Sequence, residues 1–383
     1  MRVLYVAPRF HTNQIPIMEG WKEHGDAVCF IAHHAGQNED YSAVRPIVLG
    51  YSGWFLLAER LYLFLFRKRE NAVDFRLRHG FPPIRRLRRL IREFAPELVI
   101  TRERSVYSIC VTEICRRFGF PVILYNQSPL WEKKEDGFRM GHWLVSRLTP
   151  RFRITPVYSL GRSLEGKRPD PDACYLPFLM PPHLAPDERS YFRGGKIHIF
   201  AIGKYQERKN HRMLLEIIGE LKEKYPVRLT IAGEISNRFH QEYYDGLVRY
   251  VKGHGLEELV ELYVNVNRQK IFELYSASDL FVLASTAEPA AVSHLEAMSF
   301  SLPVISGEDN GTAGYIEEGC NGYICRDNDK ADLKEKIERI VSDPERLKKM
   351  GAESYRLVLE RHQFDGYYKQ IMRILEQIKQ EKS

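Results

Sequence analysis

At 383 residues, with 44% hydrophobic and 28% charged residues, the chain has the make-up of a soluble globular protein and exceeds what one hydrophobic core usually supports. That composition excludes a disordered or collagen-like polymer, and no run of about 18 uncharged apolar residues is present to span a bilayer. The formal charge of +7 is concentrated: thirteen Lys/Arg stand against six Asp/Glu between Glu59 and Arg104, an excess equal to that of the whole chain, which marks a partner surface on one part of the molecule.

Met1-Arg2 leads straight into VLYVA (3–7), too short and too β-branched for the core of a signal peptide. The six cysteines form no C-x-x-C pair and no zinc spacing with histidine, so free thiols in a reducing, cytoplasmic setting are expected.

In chain order, VLYVA predicts a strand, residues 15–24 a helix and AVCFIA (27–32) a second strand. Strands over 97–101 and 121–126 flank a helix at 106–117. The proline-rich stretch 175–195 reads as an inter-domain hinge. The pattern then restarts, with strands at 197–202, 228–233, 259–264, 280–285 and 303–306. Helices are expected between them at 210–224, 238–254, 268–277 and 290–300, and two more, about 344–361 and 366–380, close the chain. Strands alternating with helices argue for parallel sheets with crossover helices, that is, two doubly wound α/β domains facing across a cleft. In such sheets ligands bind beyond the carboxyl ends of the strands, so the residues just after each strand carry the functional reading.

Two such places stand out. EPAAVSHLE (288–296) follows the strand at 280–285. Pro289 suits a first helical position, and Ala290 and Ala291 would leave their amides open to an anion at a helix N-terminus. With helix from 290, Glu296 would lie about 10–12 Å beyond Glu288 along the axis, a spacing that suits a nucleoside diphosphate sugar held between two carboxylates. The competing reading makes Glu288 an N-cap and Glu296 a solvated surface residue. GKYQERKN (203–210) follows the strand at 197–202, with Gly203 for a tight turn and Lys204 and Lys209 within reach of a diphosphate.

Taken together, IGKYQERKNHRMLLE, LTIAGE, LYSASDLFVLASTAEPAAVSHLEAMSFSLPVIS and EEGCNGYI resemble the C-terminal domain of retaining GT-B glycosyltransferases of family 4 (glycosyl transferases group 1), over about 197–340. The resemblance implies a GT-B fold: an acceptor-side Rossmann-like domain at 1–185, a nucleotide-sugar domain at 196–362, and a last helix, 363–383, crossing back to the first domain. It implies that Glu288 sits near the donor sugar and that Lys204 and Lys209 neutralise the leaving diphosphate. Glu296 would hold the ribose, and the backbone at Ala291 and Val292 would contact the phosphates. Gly233 and Asn265 would border the base, with a UDP-sugar favoured as donor. Lys204 stands where the family more often has arginine, and Ala291 where glycine is usual. No metal or other cofactor is expected, since the DPD at 170–172 lies in a proline-rich loop and not after a suitable strand.

The N-terminal half fits more loosely. The loop after the first strand has no glycine, and Asn126-Gln127 stands where a histidine is common. His11, Asn13 and Asn126 are the acceptor-side candidates, with a structural role the competing reading for His11; His33-His34 read as surface residues. IRRLRRLIREF (84–94) predicts a helix packed on the sheet with its arginines outward, whereas WFLLAERLYLFLFRKR (54–69) reads equally as a core helix or as a peripheral membrane contact, which would run through 54–94. Nucleic acid is not expected as a partner, because no nucleic-acid motif accompanies the patch. The sequence thus favours a cytoplasmic transferase, at the inner face of the membrane if 54–94 touches it, acting on a glycan or lipid-linked acceptor. Its rivals are a catalytically silent partner subunit of the same fold and a sugar-nucleotide epimerase.

Overall fold

A computed structural model of the chain describes residues 1–36, 40–66, 72–102, 105–133, 148–161 and 163–381. Arg67-Lys68-Arg69, Glu103 and Arg104, part of the basic stretch noted above, lie outside the described residues. The chain divides into two compact units: residues 1–156, 166–179 and 364–383 form one, and residues 157–165 and 180–363 the other.

The first unit runs β1 (Arg2–Ala7), α1 (Ile15–Glu23), β2 (Ala27–Ala32), β3 (Ile47–Val48), α2 (Gly53–Phe66), α3 (Ala72–His79), α4 (Ile84–Phe94), β4 (Leu98–Arg102), α5 (Val106–Phe118), β5 (Val122–Tyr125), β6 (Trp131–Glu132), β7 (Arg153–Thr155), β8 (Arg168–Pro169) and β9 (Ala173–Tyr175). Seven of these strands make a parallel sheet in the order β3-β2-β1-β4-β5-β7-β9, while β6 and β8 pair antiparallel. The central strands are buried on both faces, which is why they read as unbroken apolar runs and not as alternating ones.

The second unit runs β10 (Ile197–Ile202), α6 (His211–Leu221), β11 (Val227–Gly233), α7 (Arg238–Gly253), β12 (Val260–Val264), α8 (Arg268–Ala277), β13 (Leu280–Leu283), α9 (Ser293–Ser299), β14 (Val304–Gly307), β15 (Gly322–Cys325), α10 (Lys330–Val341) and α11 (Pro344–Arg361). Its six-stranded parallel sheet has the order β12-β11-β10-β13-β14-β15. The order reverses between β10 and β13, the position where an open α/β sheet leaves a crevice at its carboxyl edge. Asn237, Asn267, Asp329 and Asp343 cap α7, α8, α10 and α11 through side-chain oxygens that accept the first free amides. The final helix, α12 (Phe364–Gln380), belongs to the first unit, burying Tyr367, Ile371, Ile374, Leu375 and Ile378 against β1 and α1 residues that include Tyr5, Met18 and Trp21.

The division between the units falls within the proline-rich stretch 175–195, between Leu179 and Met180, and residues 180–191 strap the second unit. There the Arg189 guanidinium donates to the Phe300 and Tyr275 carbonyls at 2.6 and 3.2 Å, and the Tyr191 hydroxyl to Ser301 O. The helix expected over 290–300 begins only at Ser293. And His33 is buried, stacked on the Tyr107 ring at 3.6 Å between centroids, instead of lying on the surface.

His33 shares its condition with His211 and His294. All three are buried, and burial holds their pKa values to about 3, 3 and 4, against an ordinary value of 6.5. Below pH 6.5 the unfolded chain takes up protons that the folded chain refuses, so stability is full above that pH and falls as the solution is acidified. At pH 5 the loss is about 2 kcal/mol per histidine, large against a total of about 5–15 kcal/mol. Glu296 and Asp279, whose carboxyls burial pushes up, oppose the trend at the acid end. The melting temperature is expected to fall by several degrees for each unit between pH 6.5 and 5; a flat profile from pH 5 to 7.5 would contradict neutral buried imidazoles.

Candidate active site

The loops after β10 and β13 meet at the switch point of the second sheet. Gly203–Asn210 leaves β10 through a short turn at Glu207–Lys209, and residues 284–292 leave β13 without helix. Lys209 and Arg208 both reach the Glu288 carboxylate: Lys209 Nζ donates to Oε1, and Arg208 Nη1 donates to the same oxygen at 2.7 Å. Glu288 is 8% exposed, so its charge is compensated by two cations and not by water. Burial lowers the Lys209 pKa while Glu288 raises it, and burial is the larger influence. Glu288 therefore offsets part of what burial costs the ammonium.

Gly203 has its own reason for being glycine: a Cβ there would lie 2.9 Å from the Lys209 stem, so it lets the lysine fold back toward Glu288. Lys204 points outward, 3.7 Å from Glu234 and half exposed. Its ammonium is an exposed charge at the rim, unlike that of Lys209.

A single buried side chain shapes the loop that carries Glu288. Asn310, 1% exposed after β14, accepts from the amides of Ala291 and Thr312 at 3.2 Å and donates through Nδ2 to Ser306 Oγ at 2.9 Å. Gly311 N donates to Glu288 O at 2.9 Å, and Glu288 N to Asp309 O at 3.2 Å. The chains run so close that a Cβ on Gly311 would meet Pro289 O at 2.0 Å. These bonds explain the late start of α9: the backbone of 288–291 is bound to 309–312 and not to a helical turn, overriding the helix propensity of two alanines. They also revise the expected anion donors. The Ala291 amide is engaged by Asn310, and Val292 is the N-cap of α9. Asn310→Ala would leave buried groups unpaired, at a cost of about 1–3 kcal/mol; the melting temperature of this unit is expected to drop by several degrees in calorimetry, and an unchanged transition would contradict the loop assignment.

Glu296 lies in the first turn of α9, so the two-turn spacing from Glu288 does not hold. Its carboxyl is pushed up by burial and accepts from the Tyr275 hydroxyl at 3.2 Å, which excludes the solvated-surface reading. Gly233, at the end of β11, lies against the Tyr205 ring, where a Cβ would come to 2.4 Å. Asn265 takes a left-handed conformation (φ 51°) after β12, and its side chain pairs with both backbone groups of Ile235 at 2.9 and 3.1 Å. Gly233 and Asn265 thus border one rim of the sheet with Tyr205 between β11 and β12.

The acceptor-side candidates lie in the first unit. His11 is held neutral, its pKa lowered to about 3 by burial and then by Arg102 and Arg9. Asn13 Oδ1 is buried without a hydrogen-bond partner in the wall of a small cavity of about 30 Å³ that also includes Tyr5, Arg102, Tyr125 and Tyr367. Asn126 is committed elsewhere: its Oδ1 accepts from Ser128 N and Arg153 Nη1, both at 3.2 Å, fixing the turn after β5. Among the described residues, no group of three or more His, Cys, Asp or Glu is placed to hold a metal ion, and no helix is long and apolar enough to cross a membrane.

Sequence reasoning missed Arg208 and Asn310. Both signals were present: a third cation in GKYQERKN, and an Asp-Asn-Gly (309–311) two residues beyond the strand at 303–306.

The segment that carries this geometry is similar to known proteins. Residues 187–357 match the family model of glycosyl transferases group 1. Spore coat protein SA of Bacillus subtilis is 32% identical over 168 residues, covering 43% of this chain and 44% of that protein. Mannosylfructose-phosphate synthase of Agrobacterium fabrum is 28% identical over 191 residues, covering 48% and 40%. The chain spans less than half the length of the curated relatives it matches. By structure, Anabaena HepE in complex with UDP superposes over 98% of this chain and 100% of its own with a TM-score of 0.69 at 12% identity. The fold is GT-B, two parallel-sheet α/β domains.

Proposed function

We propose that the protein is a glycosyltransferase that takes a sugar from a nucleoside diphosphate donor, a UDP-sugar foremost, and transfers it with retention to a glycan or lipid-linked acceptor on the cytoplasmic side of a membrane. The observation that carries this reading is the desolvated Glu288 tied to Lys209 and Arg208 at the switch point, inside the segment that matches the family model. The UDP complex of the Anabaena neighbour supports the choice of base.

In this reading the bond between the anomeric carbon and the diphosphate oxygen breaks as the acceptor oxygen bonds to that carbon on the same face. The departing phosphate oxygen takes the acceptor's proton. Lys209, Arg208 and the exposed Lys204 offset the charge that develops on the diphosphate, in the electrostatic role a metal plays elsewhere. Glu288 orients the donor sugar and pairs with Lys209. Glu296, with one oxygen held by Tyr275, addresses the ribose, and Gly233 and Asn265 the base.

The test is release of nucleoside diphosphate from a panel of UDP-, GDP- and ADP-sugars, with extracted glycolipids and glycans as acceptors. Turnover with one base class supports the reading. Binding without turnover on any acceptor would favour a silent subunit, and interconversion of free sugar nucleotides an epimerase.

A further inference from the structure

Helix α2 is built inside out. Its inward side carries Phe55 and Glu59; the glutamate is 2% exposed and paired with Arg76 at 2.7 Å. Its outward side carries Trp54, Leu57, Leu61, Phe64 and Leu65, between 58% and 79% exposed, with Ala58 and Arg60 among them. The spacing i, i+3, i+7, i+10, i+11 places the five on one stripe. A surface helix ordinarily shows the reverse, and a contiguous exposed apolar face marks an interaction site.

The charge beside this stripe narrows the partner. Glu59 is the one acid in α2, and it faces inward. The start of α2 is tied to the approach to α4: Ser52 N donates to Phe81 O at 2.8 Å, and the Trp54 and Phe81 rings lie 4.9 Å apart. α4 buries Leu87 and Ile91 and exposes Arg85, Arg86, Arg88, Arg89 and Arg92, with Glu93 its only acid. Six exposed arginines on the two helices, counting Arg60, therefore stand against one exposed acid. The sequence reading of α4 as a core-packed helix with arginines outward matches what is observed; for α2, packing inward accounts for one side only.

We propose that α2 lies in the plane of an anionic lipid bilayer, with Trp54, Leu57, Leu61, Phe64 and Leu65 inserted among the acyl chains and the α4 arginines against headgroup phosphates. Trp54 to Leu65 covers about 16 Å of helix axis, which suits a helix lying in the interface, and the arginine excess matches the lipid charge. A protein partner with the same footprint would need an apolar groove flanked by acids; the lipid surface supplies both features at once. This inference is independent of the transfer reading, because it requires no nucleotide.

The test uses the full chain with vesicles of phosphatidylcholine alone and of phosphatidylcholine mixed with phosphatidylglycerol. Wild type is expected to sediment with the anionic vesicles and not with the neutral ones. The double variant Leu61→Glu, Phe64→Glu is expected to lose vesicle binding by about tenfold or more, and Arg85→Glu, Arg86→Glu to lose the preference for anionic lipid. Both keep the wild-type near-UV circular dichroism, since all four side chains are exposed. Equal sedimentation of wild type and the Leu61/Phe64 variant would overturn the proposal. So would a wild-type dimer that this variant dissolves, which would assign the stripe to a second copy of the chain.

Discussion

Glu288→Gln is expected to lower turnover by about 10²–10³-fold while leaving nucleoside diphosphate affinity within a few-fold. The substitution keeps the size and the acceptor oxygen but removes the charge that two cations share. Lys209 then sits buried without its counter-ion, and its pKa, already lowered by burial, falls further. A second consequence follows from the sign of that change. If a charged Lys209 is needed on the diphosphate, residual activity of Glu288→Gln should weaken as pH rises, at a lower pH than in wild type. Lys209→Ala should instead weaken nucleotide binding itself, because it removes a charge and not the support for one. Unchanged turnover in Glu288→Gln would remove the role assigned to the carboxylate.

The second large effect is on folding. Ending the chain after Gln363 deletes α12, and with it Tyr367, Ile371, Ile374, Leu375 and Ile378 from the core of the first unit. Five large buried side chains at about 1.5–3 kcal/mol each amount to roughly the whole stability of a domain. The polar contacts go too: Trp21 Nε1 donates to the Tyr5 hydroxyl at 2.8 Å, which lies 3.1 Å from the Tyr367 hydroxyl. The truncated first unit is expected to lose its near-UV signal, while the second unit, with a separate core, melts cooperatively. Ile371→Ala is the milder version, costing about 2–5 kcal/mol. A truncated chain with both transitions intact would contradict this role of the last helix.

The second unit was legible because its strands, rich in Ile, Leu and Val, alternate regularly with helices, and capping residues such as Asn237 and Asn267 mark where helices begin. The first was less so: β3, β7 and β9 are two or three residues long, below what a periodicity shows, and they exist because neighbouring strands hold them. At the site, Lys209 and Glu288 were legible because both follow strands of one sheet. What sequence could not show was which backbone the 288–291 segment would pair with. Two alanines after a proline read as a helix start, and only the fold brings Asn310 and Gly311 alongside to prevent it. The two-turn spacing expected between Glu288 and Glu296 fails for the same reason. His33 was misread because its burial depends on Tyr107, seventy-odd positions away in sequence.

Calorimetric titration of the full chain with UDP, GDP and ADP, repeated on Lys209→Ala, decides whether Lys209 and Glu288 build a diphosphate site. Saturable one-site binding of one nucleotide to wild type is expected, tighter for its sugar conjugate, with a loss of about 2–5 kcal/mol in the variant. Absence of heat with all three at millimolar concentration, or equal affinity in Lys209→Ala, would contradict a diphosphate site built on Lys209 and Glu288.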